Sequence, residues 1–428
     1  MVNTAFVKLW GKRIGAIAWD ESQQLGFFEY DRQFASGPLE AAPIRMPLST
    51  RVYSFPELRG TATFNGLPGL LADSLPDKYG SELINIWLAR NGRPENSLNP
   101  VELLCFIGSR GMGALEFEPT TLPAKGTSRS IELSSLIDTT MKLLESRENF
   151  EAHTDSDMQD VLLDVLKMGT SAGGARPKAI IAYNESSGMI HSGQTLQEEG
   201  YEHWLIKFDG VNDSQFGVSY GYGRVEMAYY KMASDAGVEM MESRLIEEEG
   251  RAHFMTKRFD RISGNQKLHV QTFCAMQHYD FNQIFSYSYE QLFQTMRQLK
   301  LSYSEAEQMY RRMVFNVFAR NCDDHTKNFA FLMGPDGKWK LAPAYDVCHA
   351  YRPDSDWVSQ HNLSINGKRK DFTKDDLLTI GRQNSIRNPE GVINEVLETV
   401  NRWPEYAEKY KVDQKLSEAI DLTLIRAI

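Results

Sequence analysis

One segment of this 428-residue chain constrains its fold more than any other. Residues 321–347 read NCDDHTKNFAFLMGPDGKWKLAPAYDV, in which Asp323 lies five positions before Asn328 and Asp346 follows later. FAFLM and KWKLA have the character of strands, and GPDG between them is typical of a tight turn. We therefore predict a β-hairpin that folds Asn328 and Asp346 back toward one another, so that two oxygen ligands can meet.

This arrangement suits phosphoryl transfer. Mg²⁺ prefers a few carboxylate or amide oxygens together with the phosphates of its nucleotide, while a separate aspartate orients the attacking hydroxyl. Asn328 and Asp346 are therefore the candidate metal ligands, and Asp323 is the candidate catalytic residue. The spacing D-x-x-x-x-N with a later aspartate also occurs in protein kinases, although their HRD and DFG motifs are missing here.

A structural interpretation of the same residues stays open. Asp and Asn favour helix caps and turns, so DDH could cap a helix and Asn328 could close a turn. His325 could equally fix the loop through a hydrogen bond. Three such residues around one hairpin, with His325 and Lys327 between two of them, favour the catalytic interpretation.

Two other segments carry groups that bind nucleotide phosphates. In GTSAGGARPKAII, Gly173 and Gly174 allow backbone amides to converge on an anion before a strand, and Lys178 adds charge. In HWLIKFD a strand ends at Lys207, and Glu226 lies on a helix predicted over GRVEMAYYKMASDAG. Kinases pair such a strand lysine with a helix glutamate. Taken singly, a glycine-rich turn or a solvated strand lysine would have no such role.

The block HFMTKRFDR, followed by LHVQTFCAMQ, is predicted to lead from a strand into the helical half. In a bilobal kinase that connection lines the adenine pocket. The predicted adenine contacts are main-chain groups of Val270, Gln271 and Thr272. Three charged residues precede this segment: Arg258, Asp260 and Arg261. They could equally form ion pairs on the surface that contribute little to the stability of the protein.

The remaining sequence indicates several units. Alternating residues before and after Gly11 predict a β-hairpin. PTTLPAKGTSRS, residues 119–130, predicts a linker that ends the first domain. Helical spacing follows over residues 131–168, and helical patterns dominate from residue 291 onward. We divide the chain into residues 1–120, 131–275 and 276–428.

Charge and composition restrict the cellular compartment and the partners that we expect for this protein. No uninterrupted signal-peptide core opens the sequence and no apolar stretch has the length of a membrane span, so we expect a cytoplasmic protein without membrane contact. The four cysteines form no CxxC pair that would suggest zinc. A net charge of −10 repels phosphate backbones, so any DNA contact is expected to be shared with a partner.

Taken together, the motifs resemble the HipA family of bacterial toxin kinases. The matching pieces follow the family's order through most of the chain: GLLADSLPDKYG, SAGGARPK, WLIKFDG, KRFDR, NCDDHTKNFAF and LAPAYDV. The resemblance implies an α+β, bilobal, protein-kinase-like fold, with a small β-rich N-terminal domain, a kinase N-lobe and a helical C-terminal lobe. It also implies ATP and Mg²⁺ as cofactors.

The resemblance assigns roles to individual residues. Asp323 matches the catalytic aspartate, and Lys207 matches the nucleotide-binding lysine. The implied nucleotide contacts extend over the phosphate loop, the catalytic loop and the second metal motif: Gly173, Gly174, Ala175, Arg176, Lys178, His325, Lys327, Asn328, Tyr345 and Asp346. Ser171, or Thr170 beside it, matches a site of autophosphorylation that would expel the phosphate loop by charge repulsion and silence the enzyme.

Two departures from the family pattern stand out. Arg176 and Pro177 replace Gln and Glu of the SVAGAQEK version of the phosphate loop, and Pro177 removes one amide donor. Phosphate binding would then depend more on Arg176 and Lys178. Asp324 replaces a common glycine.

HipA-like kinases phosphorylate aminoacyl-tRNA synthetases, notably the glutamyl enzyme, and so arrest translation and induce persistence. They bind a HipB-like helix-turn-helix antitoxin and, through it, operator DNA. Two alternatives remain at this point: a small-molecule kinase on the same fold, and a catalytically silent co-repressor that acts with a DNA-binding antitoxin.

Overall fold

The computed structural model describes residues 2–121, 137, 169, 176–193, 199–210, 220–262 and 265–428. Several predictions lie outside these residues. They are most of the linker, the helices over residues 131–168, the phosphate-loop residues Gly173, Gly174 and Ala175, and the phosphorylation candidates Thr170 and Ser171. The described chain combines helices with largely antiparallel sheets, which confirms the predicted α+β class.

The first sheet is antiparallel, with the strand order β4-β3-β2-β1-β5. Its strands are β1 (Thr4–Leu9), β2 (Lys12–Asp20), β3 (Leu25–Tyr30), β4 (Val52–Tyr53) and β5 (Leu115–Glu118). The β1–β2 pair confirms the hairpin predicted around Gly11, which turns with a φ of +73°. Alternate residues of β1, Ala5, Val7 and Leu9, are buried, as one face of a half-buried strand requires.

The described part of the N-terminal region also contains four α-helices. They are α1 (Arg32–Ala35), α2 (Gly69–Ala72), α3 (Lys78–Arg90) and α4 (Pro100–Ile107). Of these, α3 and α4 pack against the second sheet. The Asp77 side chain caps α3 by accepting a hydrogen bond from the Gly80 amide. Leu83 and Ile84 of α3 pack in one apolar cluster with Trp204 of the second sheet. The N-terminal region therefore shares a core with the part of the chain that follows.

The second sheet has the order β7-β6-β8-β10-β9. Its strands are β6 (Lys178–Tyr183), β7 (Ile190–Ser192), β8 (Glu202–Lys207), β9 (Ser243–Glu248) and β10 (Arg251–Lys257). Helix α5 (Tyr222–Asp235) lies between β8 and β9 in the chain and packs on β10. A Cβ atom at Gly223 would collide with the Ala252 carbonyl oxygen, so the glycine lets the first turn of α5 approach the sheet.

The C-terminal half is mainly helical, as predicted. Its helices are α6 (Phe273–Gln277), α7 (Tyr289–Gln298), α8 (Tyr303–Phe318), α9 (Lys374–Gln383), α10 (Pro389–Asn401), α11 (Trp403–Lys409) and α12 (Gln414–Asp421). Two small sheets accompany them. One has the order β11 (His269–Thr272), β13 (Ala330–Met333) and β14 (Trp339–Leu341), and the other pairs β12 (Tyr287–Ser288) with β15 (Leu363–Ser364).

The β13–β14 pair confirms the hairpin predicted from residues 329–342. Strand β11 also pairs with β13, so it belongs to the sheet of the C-terminal half and not to the second sheet. Among the described residues, no helix has both the length and the apolar character that crossing a membrane requires.

The charged residues that follow β10 form a buried cluster, so the alternative of a weak surface set is wrong. The side chains of Arg258 and Asp260 are 2% and 0% exposed, and that of Arg261 is 7% exposed. Asp260 accepts hydrogen bonds from Arg258 Nε at 2.8 Å and Arg261 at 2.6 Å. It also accepts one from the Gly113 amide at 2.6 Å. The cluster thus joins the N-terminal region to the segment that leaves the second sheet.

Candidate active site

The catalytic-loop candidate runs from the end of α8 to the start of β13. His325 caps a short 3₁₀ helix, Thr326–Asn328, because its Nδ1 atom accepts a hydrogen bond from the Lys327 amide at 3.2 Å. The Asn328 side-chain nitrogen donates to the main-chain oxygen of Asp323 at 2.7 Å. The loop therefore has the cap and the turn closure that the structural interpretation described, and these contacts leave the Asn328 side-chain oxygen as the atom that can bind a cation.

Asp324, next to Asp323, is buried in a structural network. It accepts hydrogen bonds from the Tyr289 hydroxyl at 2.9 Å and the Asn362 amide at 2.7 Å, and His361 Nδ1 lies 2.8 Å away. Burial alone would lower the pKa of His361, but the nearby Cys322 and the Asp324 carboxylate outweigh that effect and raise the pKa to about 10. No sequence pattern around Asp324 indicated this structural role.

Asp323 has the opposite environment. Its side chain is 38% exposed, and Trp357 Nε1 donates a hydrogen bond to its Oδ1 atom at 2.6 Å. His325 Nε2 lies 3.7 Å from the same oxygen. The surrounding protein limits the hydration of the carboxyl group, and this desolvation raises the pKa of Asp323. His325 and the hydrogen bond from Trp357 oppose the effect without cancelling it. Of the two neighbouring aspartates, only Asp323 is therefore placed to meet a substrate.

Lys207 at the end of β8 joins two carboxylates. Its Nζ atom lies 3.0 Å from Glu226 Oε2 on α5 and donates a hydrogen bond to Asp346 Oδ1. Burial alone would raise the pKa of Asp346, but Lys207 outweighs it and lowers the pKa to about 2. Asp346 itself has a φ of +56°, an uncommon conformation for a residue other than glycine. The structure thus brings together three residues that the sequence proposed from separate motifs.

Arg176 and Lys178 have different positions. The guanidinium of Arg176 lies 3.5 Å from Glu226 Oε1 and stacks on the Tyr222 ring at 4.6 Å, in a cleft that Lys207 also lines. Lys178 is only 2% exposed, and its ammonium lies 2.8 Å from Asp77 Oδ2 of the N-terminal region. Arg176 therefore faces the cleft, whereas Lys178 is engaged with another part of the chain.

Tyr345 connects the metal motif to the catalytic loop. Its hydroxyl donates a hydrogen bond to the main-chain oxygen of Lys327 at 2.6 Å. The Lys327 ammonium lies 4.8 Å from the centre of the Phe281 ring. The two segments that carry Asp323 and Asp346 are thereby held against each other.

The predicted adenine contacts lie on β11. Thr272 donates both its amide and its hydroxyl to the Asp73 carboxylate, at 2.6 and 2.8 Å, and the Gln271 side chain is buried. The Thr272 amide is therefore committed to a residue that sequence reasoning missed. The connection between the second sheet and the C-terminal half begins earlier, at Arg258 directly after β10, and its Phe259 ring packs on Tyr345 at 5.5 Å.

An apolar surface accompanies that connection. Phe259, Tyr345 and Val270 pack around a small cluster formed by Ala330, Leu332 and Ala342 of the β13–β14 hairpin. This cluster lies where the second sheet meets the C-terminal half, and its outer members Phe259, Val270 and Tyr345 are only partly buried, so they leave apolar groups of the kind that nucleobases contact. The sequence KRFDR at the end of a predicted strand was the signal that could have shown that the connection to the C-terminal half begins at residue 258.

The oxygen ligands fit a magnesium ion that is shared with a nucleotide. Within the described residues, no group of three or more His, Cys, Asp or Glu side chains could hold a metal by itself. Asp346 is ionised at neutral pH, and the orientation of Asn328 presents an amide oxygen. Mg²⁺ is characteristically held by one or two such protein ligands, with phosphates completing its shell.

Comparisons with known proteins place the whole arrangement in one family. Residues 5–118 match the model of the HipA N-terminal domain, and residues 170–405 match the HipA-like C-terminal domain. The serine/threonine-protein kinase toxin HipA of Shewanella oneidensis is 22% identical over 316 residues, which cover 68% of this chain and 64% of that protein. A solved complex of HipA, HipB and operator DNA from Shewanella oneidensis shares the fold with a TM-score of 0.61 at 15% identity. That match covers 98% of this chain and 91% of the HipA chain. Because the two family models match most of its length, the chain belongs to the HipA family.

Proposed function

We propose that this protein is a Mg-ATP-dependent serine/threonine protein kinase and a toxin of the HipA type. The observation that carries the proposal is the meeting of Lys207 with Glu226 and Asp346. A lysine that is paired with a helix glutamate and lies beside a metal-binding aspartate is the arrangement that phosphoryl transfer requires. The curated relative, a serine/threonine-protein kinase toxin, supports the same conclusion.

In the proposed reaction, Asp323 orients the acceptor hydroxyl and takes its proton. The hydroxyl oxygen forms a bond to the γ-phosphorus while the bond between that phosphorus and the β–γ bridging oxygen breaks, and ADP leaves. Mg²⁺, when bound, neutralises charge on the phosphates, and Asn328 and Asp346 would hold it. Lys207 exchanges its contact with Asp346 for the nucleotide phosphates, and Glu226 keeps it in position.

The nucleotide site would include further residues. Arg176 would contact phosphate in the cleft it already lines. The partly buried apolar groups around Phe259 would receive adenine. Lys178 remains a candidate only if its contact with Asp77 opens.

The toxin role gives the proposed partners. The related HipA was solved with HipB and operator DNA, which supports a HipB-like antitoxin and DNA contact through it. We propose a protein substrate, with an aminoacyl-tRNA synthetase such as the glutamyl enzyme as the target and persistence as the outcome. Autophosphorylation at Ser171 or Thr170 would regulate the activity.

The test is incubation of the purified chain with Mg²⁺ and ATP labelled at the γ-phosphate, with and without a dephosphorylated bacterial protein extract. We expect labelled protein from the wild type and a loss of about 10²–10⁴-fold for Asp323→Asn, the usual effect of removing a general base. Asp324→Asn is unsuitable as a control because Asp324 is buried in a network, so the exposed Asp354→Asn serves instead.

The outcomes separate the candidate functions. Label on Ser171 or Thr170, located by mass spectrometry, would support self-regulation, and label on a synthetase would identify the target. Transfer to small molecules alone would favour the metabolite kinase. ATP binding without transfer by the folded, unphosphorylated wild type would favour the silent co-repressor.

A further inference from the structure

Trp357 touches the proposed catalytic carboxylate and belongs to none of the motifs that identified the site. Its indole nitrogen donates a hydrogen bond to Asp323 Oδ1 at 2.6 Å. A hydrogen bond to an ionised acceptor is shorter and stronger than one between neutral groups. The ring also makes edge contacts with His325 at 5.9 Å and Phe281 at 6.2 Å. The indole is therefore a built part of the site and not a surface side chain that passes close to it.

Hydrogen bonds with residues before and after Trp357 in the sequence hold the turn that carries it. Ser355 Oγ accepts hydrogen bonds from the amides of Trp357 and Val358, each at 3.2 Å. The Asn362 side chain donates to the Trp357 main-chain oxygen at 3.1 Å, and the Asn362 amide donates to Asp324 Oδ1 at 2.7 Å. The turn that carries the indole is thus anchored to the buried aspartate next to Asp323.

We propose that Trp357 is a positioning residue for phosphoryl transfer, an inference that rests on the proposed kinase function. Its N–H holds Oδ1 of Asp323, which turns Oδ2 toward the position of the acceptor hydroxyl. A carboxylate that rotates freely presents a lone pair in the reactive direction only part of the time, whereas one with a fixed oxygen does so continuously. Trp357 follows the Asp346 metal motif along the chain, in segment 351–360, whose residues are exposed or partly buried. Its hydrogen bond therefore links that segment to the proposed base.

In the alternative role, the Trp357 indole would block the access of the acceptor hydroxyl to Asp323. If the indole occupied the position of the acceptor hydroxyl, its removal would accelerate transfer. The two roles predict opposite signs for the same substitution. The geometry favours positioning because a carboxylate has two oxygens and the indole contacts only Oδ1.

The test is Trp357→Phe, which keeps an aromatic ring and removes the N–H donor. We expect the rate of γ-phosphate transfer to total protein at saturating Mg-ATP to fall about 10-fold, because a hydrogen bond to a charged group commonly contributes at least that factor. The ATP concentration at half-maximal rate and the thermal midpoint should not change. The matched control is Trp339→Phe, since the buried Trp339 Nε1 has no hydrogen-bond partner within the described chain.

A second variant separates the loss of the N–H donor from the change in ring size that Trp357→Phe introduces. Incorporation of 3-benzothienyl-alanine at position 357 replaces the N–H by sulfur in a ring of nearly the same outline, and it should reproduce the loss seen with Trp357→Phe. An unchanged or higher rate with either variant would overturn the positioning role. A wild type without activity would instead refute the proposed kinase function, so the two failures are distinguishable.

Discussion

Replacement of Asp260 by Asn should destabilise the protein far more than loss of a surface charge would. The carboxylate lies between the guanidiniums of Arg258 and Arg261 and accepts the Gly113 amide, and all three side chains are buried. Burial by itself raises the pKa of Asp260, but the two arginines outweigh it and lower that pKa far below its ordinary value. Asn retains the volume and part of the hydrogen bonding, and it leaves two buried cations without an anion.

The magnitude follows from that geometry. Breaking a buried ion pair by removing one partner costs about 3–5 kcal/mol. In a domain of about 150–250 residues each kcal/mol shifts the thermal midpoint by about 2–4 °C, so we expect a decrease of at least about 6 °C. Burial lowers the pKa of Arg261 to about 10 and Arg258 adds to this effect, although Asp260 opposes it, so the carboxylate is needed to keep the two cations charged in this place.

The assay is calorimetric or fluorescence-detected thermal unfolding at pH 7, read at the first transition because a multidomain chain need not unfold in one step. The control is Asp31→Asn, which breaks the exposed pair with Arg13 and should leave the midpoint unresolvably changed. A shift for Asp260→Asn as small as that of the control would refute the reasoning. Because the folded pKa is depressed, the contribution of Asp260 is present above pH about 4 and is lost as the pH falls through the folded value.

Two other predictions follow from the site. Glu226→Gln should raise the ATP concentration at half-maximal rate about 10-fold, because Lys207 loses a charged partner, whereas Lys231→Gln in the exposed pair on the same helix should leave it unchanged. His361→Gln should destabilise the protein most at low pH. The raised pKa of His361 means that its contact with Asp324 stabilises fully below pH about 6.5 and is lost as the pH rises through about 10. Thermal midpoints of both proteins across that range should converge as the pH rises, and a constant difference would contradict the assignment.

Local patterns predicted the parts of the fold that local physics decides. The β13–β14 hairpin followed from two apolar runs and a GPDG turn. The pairing of Lys207 with Glu226 followed from a strand and a helix in the expected order. In both cases the residues lie in strands, helices or turns that can be recognised from the spacing of apolar residues and from the turn-forming residues between them.

Contacts between distant segments left no such signal. Asp73 bonds to Thr272 across 199 positions of sequence, and nothing around either residue indicated the pairing. Asp323 and Asp324 are neighbours with the same local preferences, yet the Asp323 side chain is partly exposed and that of Asp324 is buried against Tyr289. Tertiary packing decides between them, and the sequence pattern of a catalytic loop is the same for both.

Three of the long-range contacts share one feature, because each joins the N-terminal region to a position next to the proposed nucleotide site. Asp73 holds the end of β11, Asp77 holds Lys178 at the start of β6, and Gly113 holds Asp260 behind the connection from β10. Every one of these contacts involves a charged side chain with little exposure to water, and such groups are costly to leave unpaired. The N-terminal region therefore supplies hydrogen-bond or ion-pair partners to three segments beside the proposed nucleotide site, and it contributes to holding those segments in place.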